Sequence, residues 1–105
     1  MTSAINIRPQ DFKIVQNILS NNLPKSGCRI FVFGSRATAT AKRASDLDLA
    51  IDLGRQMTRI ESHTLANQFE DSDLPYRVDV IDLQTVSSDF LALIQDTLQE
   101  LVLPA

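Results

Sequence analysis

The chain is poor in the residues that usually mark a disulfide-built or metal-knotted protein. It has one cysteine, Cys28, in 105 residues, and one histidine, His63. A single thiol makes no internal disulfide framework and no finger-type zinc site. There is no tryptophan, and only three glycines and four prolines stand in the whole chain. That excludes collagen-like and Pro/Gly-rich low-complexity folds. No apolar run approaches the length needed to cross a bilayer. The first residues, Met1-Thr2-Ser3-Ala4-Ile5-Asn6-Ile7, lack the charged front and apolar run of a signal peptide. A cytoplasmic location is the expectation. The net charge of −3 leaves no excess of positive charge with which to hold long nucleic acid alone.

What is present reads as one small globular domain over 1–105. Hydrophobic residues are 44% and charged residues 22%, which allows a core and argues against disorder. Phe12, Val15, Ile18 and Leu19 recur at helical spacing after Pro9, predicting a helix from about Gln10 to Asn22. Cys28 to Phe33 is apolar and rich in β-formers, a buried strand with Cys28 as a small buried hydrophobe. Gly34-Ser35 ends it. Arg36 to Lys42, small and alanine-rich, suits a short helix. Asp46 to Leu53 alternates, with Asp46, Asp48, Ala50 and Asp52 on one face and Leu47, Leu49, Ile51 and Leu53 on the other. Such a period of two predicts a half-buried strand. Thr58 and Glu61 form a capping box that opens a helix to about Ser72, with Ile60, Leu65 and Phe69 as its apolar contacts. Tyr76 to Leu83 is a third strand. Ser87 or Ser88 starts a last helix carrying Phe90, Leu93, Ile94, Leu98 and Leu101. This stripe is read as core, with docking of another chain as the lesser alternative. The class is α/β (α+β): about three strands flanked by helices.

The informative run is Gly34-Ser35, ten residues, then Asp46-Leu47-Asp48, with Asp79 in a later strand. Gly34 has no side chain, so a phosphate can approach its backbone. Ser35 at the start of a short helix would offer amides and the positive end of the dipole. Arg36 adds a charge able to reach a triphosphate. Asp46 and Asp48, two apart on a strand, share a face about 7 Å apart. With Asp79 on a neighbouring strand, three hard carboxylates suit two magnesium ions. Asp79 is then placed to take a hydroxyl proton. For Asp-x-Asp alone, the wet face of an amphipathic strand is the better explanation. The Gly-Ser turn after a buried strand and an acid amid the apolar third strand favour the metal site.

At these residues the chain resembles the minimal nucleotidyltransferases of the DNA polymerase β superfamily. The pattern stands as GSRATATAKRASDLDLAIDLG followed by YRVDVIDL, and the resemblance runs from about Cys28 to Leu83. It implies a mixed sheet, Gly34 and Ser35 as the phosphate-binding pair, Asp46 and Asp48 as metal ligands, and Asp79 as the third catalytic carboxylate. Many members carry glycine where Ala39 stands, so the loop over the triphosphate is expected to be shaped differently here. Proteins of this size and pattern also resemble the antitoxin half of pairs whose toxin is an all-helical HEPN ribonuclease. That likeness implies transfer of AMP from ATP to a tyrosine of the toxin, and a homo- or hetero-oligomer. The rival reading is a module that neutralises its partner by contact alone. Transfer to a small molecule is disfavoured by the lack of a second domain.

Other residues have plainer readings. His63 is expected to be a solvated helix residue. Asp52 either orients a water or pairs with a base, or has no role. Lys42 and Arg43 either steer a triphosphate or are solvated. Arg77 is expected to pair with a carboxylate, and Asp82, on the face opposite Asp79, to be structural.

Overall fold

The structure, a computed structural model, describes residues 5–38, 41–42 and 45–103. Its first helix, α1 (Pro9–Asn22), begins with proline at its first turn, where a missing amide costs nothing. Strand β1 (Arg29–Phe33) follows, then β2 (Leu47–Asp52), helix α2 (Arg59–Glu70), strand β3 (Val78–Asp82), helix α3 (Ser88–Ile94) and a two-residue strand β4 (Gln99–Glu100). The sheet order is β3-β2-β1-β4. β1 is antiparallel to both β2 and β4, and β2 is parallel to β3. The mixed sheet expected from the resemblance is therefore present, with four strands among the described residues rather than about three.

The sheet separates two cores. On one face Ile30, Val32, Leu47, Leu49 and Ile51 meet Val15 and Leu19 of α1 and Leu65 and Phe69 of α2. On the other, Phe33 and Ala50 meet Ile94 of α3, with Phe31, Ile81, Phe90 and Leu98 around them. Strand alternation assigns residues to these faces, since successive side chains point opposite ways. The wet face predicted for β2 is thus corrected. Ala50 is fully buried because α3 covers that side of the sheet. The acidic residues lie to either side of this dry patch.

Three local expectations also change. The helix predicted from Arg36 to Lys42 is not formed at its start: Gly34–Arg36 is a single 3-10 turn, closed by the Ala37 amide donating to the Gly34 carbonyl at 3.1 Å. The last helix stops at Ile94 instead of running on to Leu101. A second 3-10 turn, Gln95–Thr97, reverses the chain so that Glu100 pairs with Phe31 and Gln99 with Val32. Pairing the open edge of β1 satisfies backbone groups that a longer helix would leave bare. Leu98 and Leu101 consequently serve opposite cores. Ile60 is 79% exposed and makes no core contact, because Leu65 and Phe69 alone fill the α2 stripe. Cys28 lies just before β1 and is half-buried.

The capping box of α2 is as expected. The Thr58 hydroxyl accepts from the Glu61 amide at 3.1 Å, and the Glu61 carboxylate accepts from the Thr58 amide at 2.8 Å. Ser87 caps α3, accepting from the Phe90 amide at 3.1 Å.

Candidate active site

β1, β2 and β3 bring one row of residues together. Phe33 at the end of β1 lies opposite Asp48, and Asp48 lies opposite Asp79 on β3. Register partners share a face, so the Asp48 and Asp79 carboxylates stand side by side on adjacent parallel strands, roughly 4.8 Å apart at the backbone. Asp46 directly precedes β2, two residues before Asp48. The chain turns away from the row at Gly34, the residue after Phe33.

Gly34 adopts φ +74°, a left-handed conformation that side chains disfavour. A Cβ there would sit 2.5 Å from Asp48 Oδ2. The absent side chain therefore makes the room into which the carboxylate points. Ser35 follows in the 3-10 turn and is half-buried, so the helix dipole expected at Ser35 is replaced by a tight turn beside the acidic row. The Thr38 hydroxyl donates to the Gly34 carbonyl at 3.3 Å and ties the turn from its far side. Ala39, Thr40, Arg43 and Ala44 lie outside the described residues, and with them the loop position singled out at Ala39 and the cation of Arg43.

The electrostatics agree with this convergence. Burial raises the Asp48 carboxyl above the usual aspartate range, and the negative charges of Asp79 and then Asp46 raise it further. Such mutual repulsion is felt only by groups near one another. Among the described residues, no group of three or more His, Cys, Asp or Glu side chains stands close enough together to hold a metal ion. Asp48, half-buried, stands beside Asp79 across the β2–β3 register, while Asp46, just before β2, and Asp79 are exposed. Carboxylate oxygens that repel one another are hard donors of the kind divalent cations take.

Comparison with known proteins gives the family. The family model described as polymerase beta, nucleotidyltransferase, matches residues 13–102. The chain belongs to the polymerase β nucleotidyltransferase family. A relative from Haemophilus influenzae, a probable protein adenylyltransferase MntA, is 37% identical over 91 residues, 87% of this chain and 78% of the relative. Two solved structures share the fold. One is a toxin–antitoxin with AMP-PNP (TM-score 0.67, 26% identity, 88% of this chain and 73% of the other). The other is a tri-AMPylated Shewanella oneidensis HEPN toxin in complex with an MNT antitoxin (TM-score 0.63, 26% identity, 89% of this chain and 69% of the other).

In this nucleotidyltransferase the remaining predicted residues divide clearly. Arg36, read as reaching a triphosphate, is turned into the protein and only 5% exposed. Its guanidinium donates to the Asn6 carbonyl at 2.9 Å and to the Ser45 carbonyl at 2.8 and 3.1 Å, and lies 3.8 Å from the centre of the Tyr76 ring. Arg77 is 4.0 Å from Asp79 in an exposed ion pair. Asp52 accepts from the Gly54 amide and the Gln84 side-chain amide, each at 2.8 Å. Those bonds, the Gly54 amide first, hold its carboxyl below the usual range. Asp82 is structural, accepting from the Met57 amide at 2.7 Å and the Gln84 amide at 2.9 Å. His63 is exposed on α2, and Lys42 is exposed before the acidic segment. No helix among the described residues is long and apolar enough to cross a membrane.

Sequence reasoning missed Asp11. It is 3% exposed, paired with Arg8 at 3.1 Å, and accepts from the Tyr76 hydroxyl at 3.3 Å. The signal was available: Asp11, Val15 and Leu19 are spaced by four, so the acid stands on the buried stripe of α1. A buried acid on such a stripe needs partners, and they come from outside the helix.

Proposed function

We propose that this protein transfers AMP from ATP to a tyrosine hydroxyl of a helical HEPN-type partner and silences it. The family membership supports nucleotidyl transfer, and the relative's activity and the neighbours' ligand and partner support AMP, ATP and a toxin. The observation that carries the reading is the alignment of Asp48 with Asp79, with the Asp48 carboxylate packed against the glycine turn at Gly34.

Asp46, Asp48 and Asp79 would hold magnesium, two ions by the number of carboxylates. Magnesium, when bound, would neutralise the triphosphate and polarise the α-phosphate. The backbone at Gly34 and the hydroxyl of Ser35 would receive the phosphate tail. The acceptor oxygen forms a bond to the α-phosphorus, the bond from that phosphorus to the bridging oxygen breaks, and pyrophosphate leaves. Asp79 takes the hydroxyl proton. Its exposed position fits an acceptor arriving on another chain, whereas Asp48 lies deeper in the row. Such a location for ATP-dependent control of a toxin would be the cytoplasm, and the working assembly a hetero-oligomer.

The test is direct. The protein, its helical partner, α-labelled ATP and magnesium should yield labelled partner. Asp46→Asn, Asp48→Asn and Asp79→Asn should each abolish the label while leaving the complex intact. Persistent labelling by these variants would refute the assignment of the site. Inhibition of the toxin without any labelling, by wild type and variants alike, would establish neutralisation by contact.

A further inference from the structure

We infer that Arg36 is a positioning residue: its side chain clamps together the three chain segments that carry the acidic row and the glycine turn, and it does so without touching the nucleotide. The inference rests on the catalytic reading above.

Arg36 is the last residue of the Gly34–Arg36 turn. Its Nε and Nη2 both donate to the carbonyl of Ser45, the residue immediately before Asp46. Its Nη1 donates to the Asn6 carbonyl at 2.9 Å, and the Asn6 amide donates back to the Arg36 carbonyl at 2.7 Å. The flat guanidinium stacks on Tyr76, three residues before Asp79. Tyr76 is held in turn by Asp11 of α1. One planar group thus touches the approach to Asp46, the approach to Asp79 and the entry to α1, from a root one residue beyond Ser35. Next to it, the Leu47 amide donates to the Arg77 carbonyl at 2.9 Å, joining the same two approaches.

The chemistry requires arginine. A guanidinium has a fork of donors in one plane and a face that stacks on an aromatic ring. A lysine ammonium keeps the charge and loses both the plane and the fork. A triphosphate ligand would behave otherwise, since charge alone would preserve much of its contact and its loss would weaken nucleotide binding. Misplacing catalytic groups by about an ångström is expected to slow the chemical step roughly 10²-fold.

The experiment compares Arg36→Lys, Tyr76→Leu and Thr58→Ala, the last as a control for loss of stability at a helix cap remote from the site. Partner adenylylation at saturating magnesium should show kcat falling about 10²-fold in Arg36→Lys, with KM for ATP changed less than about threefold. Tyr76→Leu should lower kcat in the same sense, and Thr58→Ala should leave both constants unchanged. Amide hydrogen exchange at Leu47, Asp48 and Asp79 should quicken in Arg36→Lys and Tyr76→Leu. A raised KM with kcat intact would make Arg36 a nucleotide ligand and overturn the proposal. So would an equal loss of kcat in Thr58→Ala. If wild type transfers nothing, the catalytic reading fails on its own. Exchange then still decides: unchanged protection at those amides overturns the clamp, and loss confined to them upholds it.

Discussion

The Asp48 carboxylate occupies the space that a side chain at Gly34 would need. A Cβ on Gly34 would lie 2.5 Å from Asp48 Oδ2, and the Gly34 backbone stands at φ +74°. The two constraints act together, one steric and one torsional. Gly34→Ala is therefore expected to do double damage. The left-handed conformation alone should destabilise the fold by about 1–3 kcal/mol. The displaced carboxylate should in addition abolish most nucleotidyl transfer. Thermal melting and partner labelling check the two effects separately. A variant that keeps both would show that the Asp48 side chain readily moves aside.

Asp48→Asn is expected to stabilise the protein while inactivating it. Burial and two neighbouring acids raise the Asp48 carboxyl in the folded state. The folded protein then holds this proton more tightly than the unfolded chain does. Stability falls as pH rises through the window that starts at the ordinary aspartate value and ends at the raised folded value. At neutral pH, without divalent ions, the variant should melt a few degrees higher than wild type. The difference should vanish as the solution is acidified below the ordinary aspartate range. Added magnesium should raise wild type and not the variant. A lower melting point for the variant at neutral pH would contradict the repulsion.

Tyr76 is the only tyrosine and the chain has no tryptophan, so its ionisation can be followed alone by near-ultraviolet absorbance. Burial first, and the Asp11 charge second, push its hydroxyl up to about 12. Asp11→Asn should lower the midpoint while leaving it above that of a free tyrosine, because burial remains. Wild type should lose stability as pH rises from the free-tyrosine value toward 12, since the unfolded chain releases this proton first. An unshifted midpoint in Asp11→Asn would mean that the acid does not act on Tyr76.

Thr58→Ala removes one half of the α2 capping box. The expected loss is about 1 kcal/mol, near 4–8 °C in melting temperature for a domain of this size. The other half should fail with acid. Arg55 foremost, and then the Thr58 amide, hold Glu61 down to about 2. This contribution is present above the ordinary glutamate value and is lost as pH falls through about 2. Added salt should weaken it, as both partners meet solvent.

Much of the site was legible because it is built from short-range pattern. In an extended chain a two-residue period puts Asp46 and Asp48 on one face, and Thr58 with Glu61 caps a helix through contacts three residues apart. The errors occur where distant segments intervene. Ala50 seemed to share a wet face, but α3 lies over it. Leu98 and Leu101 carried helical spacing, but the open edge of β1 recruited Gln99 and Glu100 as a strand. Arg36 looked like a phosphate ligand from its place after Ser35. Two backbone carbonyls from residues 30 earlier and 9 later claim it instead.

The sequence by itself determined which groups are the candidates for chemistry: a glycine-serine turn after a buried strand, two acids of one parity and a third in a later strand. Those follow from local stereochemistry, which periodicity records. Only the tertiary structure decided that β3 runs parallel to β2 with Asp79 opposite Asp48, that the Asp48 carboxylate fills the space beside Gly34, and that Arg36 binds the framework. Register, strand direction and side-chain partners depend on groups far apart in the chain. No local pattern encodes which of them will meet.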